Sequence, residues 1–174
     1  IRGSTPKVDG ECQMTMAAEG ADEWFERYLP CPHCSHEQVL DFGDAKSYHG
    51  FKWVNNDPST VKYKCSNKKC DVLIENDELQ DMDAKGRWIS KNGIITVNGM
   101  FFMDEDGNEV EAPRKITWEI WSAYSPWTTW EAIVDEFLEC KDDPTKLKTW
   151  TNTTRGRAFS EVKKTIPPEV LHRR

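Results

Sequence analysis

The sequence predicts an α+β fold, and three observations predict it. Two short polar turns each carry a close pair of cysteines and are flanked by residues of strand character. Runs that alternate apolar with polar residues lie between and after those turns. Further on, apolar residues recur at i, i+3, i+4, i+7 and i+8, the spacing of an amphipathic helix.

Composition bounds the answer first. At 174 residues the chain can bury one moderate core, or a small metal module beside a second packed unit. Only 37% of residues are hydrophobic and 30% are charged, with a mean hydropathy of −0.74, so much of the chain faces water or partners. A net charge of −7 argues against nonspecific coating of nucleic acid. The charge is uneven: acid collects at 71–83 and 104–111, while Arg155, Arg157, Lys163, Lys164, Arg173 and Arg174 make the C-terminal stretch basic. The acidic runs read as solvated surface; the basic stretch reads equally as surface or as a phosphate-contacting arm. No apolar run approaches the roughly twenty residues that span a bilayer, so no membrane partner is expected.

The chain opens on Ile1-Arg2-Gly3 without an initiator methionine and closes abruptly at Arg174, which reads as a segment of a larger multidomain protein. Glu19 to Tyr28 is expected to form a short helix, with Trp24 and Tyr28 on one face. His36 to Phe42 has strand composition and stops at Gly43-Asp44. Phe51 to Val54 and Thr60 to Lys64 alternate as half-buried strands do. Glu75 to Lys85 reads as a helix presenting Leu79 and Met82, halted by Gly86, and Arg87-Trp88-Ile89 restarts an extended segment. From Asn92 to Thr117 the pattern is an acidic hairpin, with Gly93 to Val97 and Met100 to Met103 before an Asp106-Gly107-Asn108 turn and a returning Glu109-Val110-Glu111. Ile116 to Ser122 alternates except at Trp121, which implies a strand covered on both faces. Thr128 or Thr129 caps the helix of Trp130, Ile133, Val134, Phe137 and Leu138. Asp143 caps a second helix with Pro144 at its first position; that helix presents Leu147 and Trp150 and ends at Gly156. The remainder, with Pro167-Pro168, reads as linker.

The cysteine pairs carry the chemistry. The first turn reads Tyr28-Leu29-Pro30-Cys31-Pro32-His33-Cys34-Ser35-His36, with a two-residue gap; the second reads Tyr63-Lys64-Cys65-Ser66-Asn67-Lys68-Lys69-Cys70-Asp71, with a four-residue gap. Both spacings occur in structural zinc sites, and two such pairs about thirty residues apart can converge on one tetrahedral Zn2+. Two disulfides or unrelated thiols are the competing readings. No signal peptide is evident, and six cysteines are few for a disulfide scaffold. Cys31, Cys34, Cys65 and Cys70 complete a shell by themselves, which leaves His33 and His36 to solvent. Cys12 and Cys140 read as small apolar residues. Strands entering and leaving paired turns describe a zinc ribbon, in which metal binding replaces most of the core. The fold class is thus a small zinc-ribbon β module followed by a mixed strand and helix segment.

The eight tryptophans invite a stacking role with bases or sugars, but their places on apolar stripes favour packing; Trp127, between Pro126 and two threonines, is the one expected to be exposed. No phosphate loop, no nucleophile with its base, and no isolated carboxylate pair is present, so no catalytic residue is assigned. Two readings of function from different classes follow. One is a zinc-ribbon binding module that sets Lys62, Lys64, Lys68 and Lys69, with Arg155 and Arg157, against phosphates; the other is a structural scaffold.

Several stretches, taken in order, resemble the large terminase subunit of lambda-like tailed phages. They are Gly3-Ser4-Thr5-Pro6, the first cysteine turn through Gln38, Tyr63-Lys64-Cys65, Gly86-Arg87-Trp88, and Ala123-Tyr124-Ser125-Pro126-Trp127 with Trp130. Phe137-Leu138, Lys141 with Asp143-Pro144, and Leu147-Lys148-Thr149-Trp150 through Asn152-Thr153 to Gly156 complete the set. The resemblance implies a viral DNA-packaging motor with an N-terminal ATPase and a C-terminal endonuclease that cuts concatemers. ATP and Mg2+ would act in parts outside this chain. It also implies double-stranded DNA, the terminase small subunit and the portal as partners, and the host cell cytoplasm as location. In that frame residues 1–27 are the end of the ATPase core with a short helix, 28–90 the zinc-ribbon module and 91–117 an acidic hairpin insertion. Residues 118–156 are a strand with two amphipathic helices, and 157–174 a basic linker toward the nuclease. Two features depart from the family: the four-residue second gap, where two is more usual, and the acidic hairpin.

Overall fold

The computed structural model describes residues 13–159 apart from position 45. The expectations for Gly3 to Pro6, Cys12, Lys163, Lys164, Pro167-Pro168 and Leu171 to Arg174 lie outside the described residues. In chain order the elements are α1 (Gln13–Glu19), β1 (Glu23–Pro30), β2 (Glu37–Val39), β3 (Gly50–Val54), β4 (Asp57–Lys64), β5 (Leu73–Ile74), α2 (Leu79–Ala84), β6 (Arg87–Ser90), β7 (Ile95–Thr96), β8 (Phe102–Met103), β9 (Glu109–Val110), β10 (Ile116–Glu119), α3 (Trp130–Cys140) and α4 (Pro144–Thr153). Single 3-10 turns stand at Asn76–Glu78 and Ser122–Tyr124. The mixture is α+β, as expected.

Among the described residues two sheets form. One has seven strands in the order β10-β1-β6-β7-β8-β9, with β2 also paired to β1; the other has three, β3-β4-β5. All pairings are antiparallel except β1 with β10, where Glu23 to Glu26 run parallel to Ile116 to Glu119.

The expected helix over Glu19 to Tyr28 is not formed; β1 occupies most of that stretch, and α1 ends where the helix was to begin. The sequence fits both periods. Trp24 and Tyr28 are spaced for one helical face, but Phe25 and Leu29, the two fully buried residues of the stretch, are also spaced for one strand face. Pairing decides between them, because β1 hydrogen-bonds to β2, β6 and β10, and none of these partners is visible in a local window.

The β3–β4 hairpin follows its alternation, with Val61 and Tyr63 buried on one face. Its turn is Asn55-Asn56, both at positive φ (54° and 57°), the backbone that a two-residue hairpin requires and asparagine tolerates. α2 carries Leu79 and Met82 inward as expected and ends at Ala84, two residues before Gly86, while Asn76–Glu78 of the expected helix form a 3-10 turn. A side chain at Gly86 would place its Cβ 2.6 Å from Leu29 Cδ2 and 3.0 Å from the Tyr28 carbonyl, so glycine permits the close approach to β1.

The acidic stretch forms short strands β7, β8 and β9 that continue the sheet outward from β6, with β9 as its edge. Gly107 takes φ +83° at the tip, and Asp104 accepts the Asn108 N–H at 2.8 Å. On β10, Trp118 stacks on Phe25 (centroids 4.8 Å apart) and meets Trp88 edge-on (4.9 Å). Just beyond the strand, Trp121 donates its indole N–H to the Leu40 carbonyl at 2.7 Å, so the two tryptophans serve different clusters.

Thr129 caps α3 by accepting the Ala132 N–H, and Asp143 caps α4 by accepting from Thr145 and Lys146, with Pro144 at the first position. α3 buries Trp130, Ile133 and Val134 against the three-stranded sheet. Phe42, Phe51, Trp53 and Tyr63 meet Trp130, Phe137 and Trp150 in edge and tilted ring pairs 4.8–6.0 Å apart. The cysteine-bearing strands therefore share a substantial aromatic core with α3 and α4. They are not the nearly coreless module that a ribbon alone implies. Trp130 and Trp150 are buried, while Trp127 is 91% exposed, as its loop setting predicted.

Candidate metal centre

Each cysteine turn is the tip of an antiparallel hairpin, but the hairpins belong to different sheets. β1 delivers Cys31 and the chain returns from Cys34 into β2; β4 delivers Cys65 and returns from Cys70 into β5. The turns are closed alike. The Cys31 N–H donates to the His36 carbonyl at 2.9 Å, and the Cys65 N–H donates to the Val72 carbonyl at 3.1 Å, in each case two residues past the second cysteine. The residue after each second cysteine, Ser35 and Asp71, takes positive φ (58° and 51°) to swing the chain back.

The four thiols meet. All four Sγ atoms lie within 4.8 Å of one another; across the turns Cys31 is 4.0 Å from Cys70, and Cys34 is 3.9 Å from Cys65. A tetrahedron with Zn–S bonds of about 2.3 Å has edges of about 3.8 Å, so the donor set and its size suit zinc. A disulfide needs sulfurs about 2.05 Å apart, and all four cysteines are free. Cys31 and Cys65 are buried, whereas Cys34 and Cys70 are half-buried.

Hydrogen bonds prepare the sulfurs. The His36 backbone N–H donates to Cys34 and, with further donors around that sulfur, holds its thiol down to about 7, where the thiolate is readily reached. Burial pushes the Cys65 thiol up, against the Asn67 backbone N–H that donates to it. Burial also raises the Cys70 thiol, opposed by the N–H of Val72. As thiolates, four sulfurs this close would repel one another unless a cation held their charge.

The imidazole rings of His33 and His36 take no part in the cluster. Both are exposed, and His33 Nε2 lies 3.3 Å from Glu78 Oε1. Cys140 lies apart, buried under α3 with its thiol 3.4 Å from the Phe137 carbonyl.

The six cations put forward for phosphate contact divide sharply. Lys62 pairs with Glu75 at 2.5 Å, and Lys64 pairs with Asp71 at 2.6 Å while lying over the Tyr48 ring. Arg155 is held by Asp41 at 2.6 Å, and Arg157 lies between Asp41 and Glu119 at 3.7 and 3.8 Å. Lys68 and Lys69, at the tip of the second turn, are exposed. Two residues of the centre were missed. Gln38, almost wholly buried, accepts the Ser66 N–H at 2.8 Å and ties the second turn to β2; Asn67 lies between the two turns. An asparagine two residues past a cysteine, inside the unusual gap, was the available signal.

Comparison with known proteins shows the family to which the chain is similar. Residues 1–88 match a family model described as phage terminase large subunit gpA, ATPase domain, and residues 115–174 match terminase large subunit gpA, endonuclease domain. The chain is 46% identical over 163 residues to the large terminase subunit of Enterobacteria phage P21, covering 93% of this chain and 25% of that protein. It is 44% identical over 160 residues to the large terminase subunit of Escherichia phage lambda, covering 91% and 24%. The chain thus spans about a quarter of the length of these relatives. No solved structure matches it. The thiol cluster falls inside the ATPase-domain match, β10 to α4 inside the endonuclease-domain match, and residues 89–114 between them.

Proposed function

The chain belongs to the phage terminase large subunit gpA family, and from that premise we propose that it is a zinc-stabilised connecting region of a viral DNA-packaging motor. In this reading Cys31, Cys34, Cys65 and Cys70 would hold one Zn2+ that locks two hairpins from different sheets into a single ribbon-like unit. The convergence of four free thiols within 4.8 Å carries the proposal. The metal is structural: all four positions are protein sulfurs, which leaves none for water or substrate.

The parent protein would supply ATP-driven translocation and concatemer cleavage with ATP and Mg2+ bound elsewhere. Double-stranded DNA, the small subunit and the portal would be its partners in the host cytoplasm. Among the described residues no helix is long and apolar enough to cross a membrane. The proposed divisions at residues 27, 90, 117 and 156 enter this reading as approximate limits, since 27 falls inside β1 and 117 inside β10, with the connecting role shared by both matched stretches. For DNA contact, Lys68 and Lys69 are the favoured residues, because Lys62, Lys64, Arg155 and Arg157 already face carboxylates.

Metal analysis of the purified 174-residue chain tests the centre directly. The expected result is about one zinc per chain, lost in the double variant Cys31→Ser, Cys65→Ser. A folded wild-type chain that takes up no zinc from excess metal would refute the proposal.

A further inference from the structure

The second cysteine turn is two residues longer than the first, yet both close in the same way. The shared part explains this. In the first turn the Cys31 carbonyl accepts the Ser35 N–H at 2.9 Å; in the second the Asn67 carbonyl accepts the Cys70 N–H at 2.9 Å and lies 3.5 Å from the Asp71 N–H. Asn67, three residues before Cys70, thus holds the place that Cys31 holds before Cys34. Ser66 and Asn67 are the added length, and Cys65 stands two positions further back.

Each polar group of Asn67 has a partner in the site. Its backbone N–H donates to Cys65, its carbonyl accepts from Cys70, and its Oδ1 accepts the Lys69 N–H at 3.0 Å. Its Nδ2 reaches across to Cys34 Sγ at 3.7 Å, within the longer range of hydrogen bonds to sulfur. Cys34 belongs to the other hairpin. Asn67 therefore contacts sulfurs from both turns and fixes the internal fold of its own.

We propose that Asn67 is a positioning residue of the metal centre, which shapes the four-residue gap into a chelating turn and donates a cross-hairpin N–H to the Cys34 thiolate. This rests on the zinc reading above. A shell of four thiolates around a divalent cation carries net charge −2, and an amide donor aimed at one sulfur stabilises that charge without adding any. The role is specific to asparagine. Aspartate keeps the Oδ1 acceptor but replaces the donor with a second negative oxygen facing the sulfur, and alanine removes both.

The test compares Asn67→Asp and Asn67→Ala with wild type and Ser66→Ala in the 174-residue chain, using zinc competition against a coloured chelator and the absorption of the Co(II)-loaded protein. Outer-shell partners of metal ligands typically carry about 10–100-fold in affinity. Asn67→Asp should lose zinc affinity by that factor, and its sulfur-to-cobalt charge-transfer bands should move to lower energy, because a thiolate without its donor releases charge more easily. Ser66→Ala should match wild type in both. Asn67→Ala can also loosen the turn, so Asn67→Asp, which keeps the backbone bonds, is decisive. Wild-type affinity and unshifted bands in Asn67→Asp overturn the role of Asn67 and leave the zinc reading standing. A wild-type chain that binds neither metal overturns both.

Discussion

Tyr124→Phe removes one oxygen, and the structure says what that oxygen does. The Tyr124 hydroxyl accepts the Leu40 N–H at 2.8 Å and donates to the Arg27 carbonyl at 2.9 Å, joining β1 and the segment after β2 to the 3-10 turn that precedes α3. Leu40 is fully buried and Tyr124 nearly so. Burial also pushes the phenol far above its ordinary range, so it remains a donor at any working pH. Phenylalanine fills the same space but leaves the Leu40 N–H without a partner, at about 1–3 kcal/mol. The lost bond to Arg27 adds about 1 kcal/mol, for a total of about 2–4 kcal/mol. At roughly 2–4 °C per kcal/mol for a chain of this size, the Tm should fall by about 4–16 °C. Tyr63→Phe is the internal comparison: that hydroxyl accepts from Asp41 at 3.3 Å and donates to Val39 at 3.2 Å, longer bonds that predict a smaller loss. Urea denaturation measures both, and amide exchange at Leu40 reports the orphaned donor. Stability of Tyr124→Phe within 0.5 kcal/mol of wild type, with Leu40 equally protected, would refute the reasoning.

Chelation of the zinc-loaded chain should expose the four thiols to a thiol reagent and free the amides of the two turns, while α3 keeps its protection. Cys31 and Cys65 border the same buried cluster as Trp130, but α3 is held there by ring contacts with Phe51 and Tyr63 that do not depend on the sulfurs; simultaneous loss of α3 protection would contradict that independence. Lys68→Ala with Lys69→Ala should flatten the salt dependence of duplex DNA binding by about 1.8 in log–log slope, the contribution of two phosphate contacts, and an unchanged slope would remove these lysines from the interface. At the β8–β9 tip, hydrogen bonds from Asn108 hold the Asp104 carboxyl below its ordinary value. Its folded-state value is the lower one, so its stabilising effect is complete above the unfolded value and fades as pH falls through the folded one. An NMR titration should therefore show the Asn108 amide moving together with a depressed Asp104 midpoint; an Asp104 that titrates at the ordinary value would contradict it.

Much of this was legible in local sequence wherever local physics decides. Thr129, Asp143 and Pro144 announce the starts of α3 and α4, and alternation announces β3 and β4, because caps and periodicity need no distant partner. The thiol cluster was legible too, since ligand spacing is a local constraint. The strand β1 was not: Glu23 to Pro30 carries a helical spacing as well as a strand spacing, and the choice falls to β10, more than eighty residues away. The state of the basic residues was equally hidden. Arg155 and Asp41 are 114 positions apart, and nothing near either forecasts a 2.6 Å contact. Asn67 was in plain view, but its meaning depends on Cys34 from the other hairpin.

The parallel pair β1–β10 bears on what a connecting region must do. Its strands come from the stretches matched by two different domain models, and its ladder joins Glu23 to Glu26 with Ile116 to Glu119. The same two stretches are crosslinked by Trp24 to Glu119 at 2.9 Å, by Arg155 to Asp41, by Trp121 to Leu40 and by Tyr124 to both Leu40 and Arg27. A tether would need only a chain of sufficient length, and these bonds, buried or half-buried, would then have no purpose. A rigid joint needs them, because hydrogen bonds spread over a sheet and a core must all yield before the two stretches move apart. In this reading the cysteine centre contributes by stiffening the hairpin that leaves β1, directly beside Leu40 and Arg27. If Tyr124→Phe loosens the Cys31 turn in amide exchange, and loss of zinc in turn loosens the β1–β10 ladder, joint and centre are one mechanical unit. Independence of the two would make the centre a local staple.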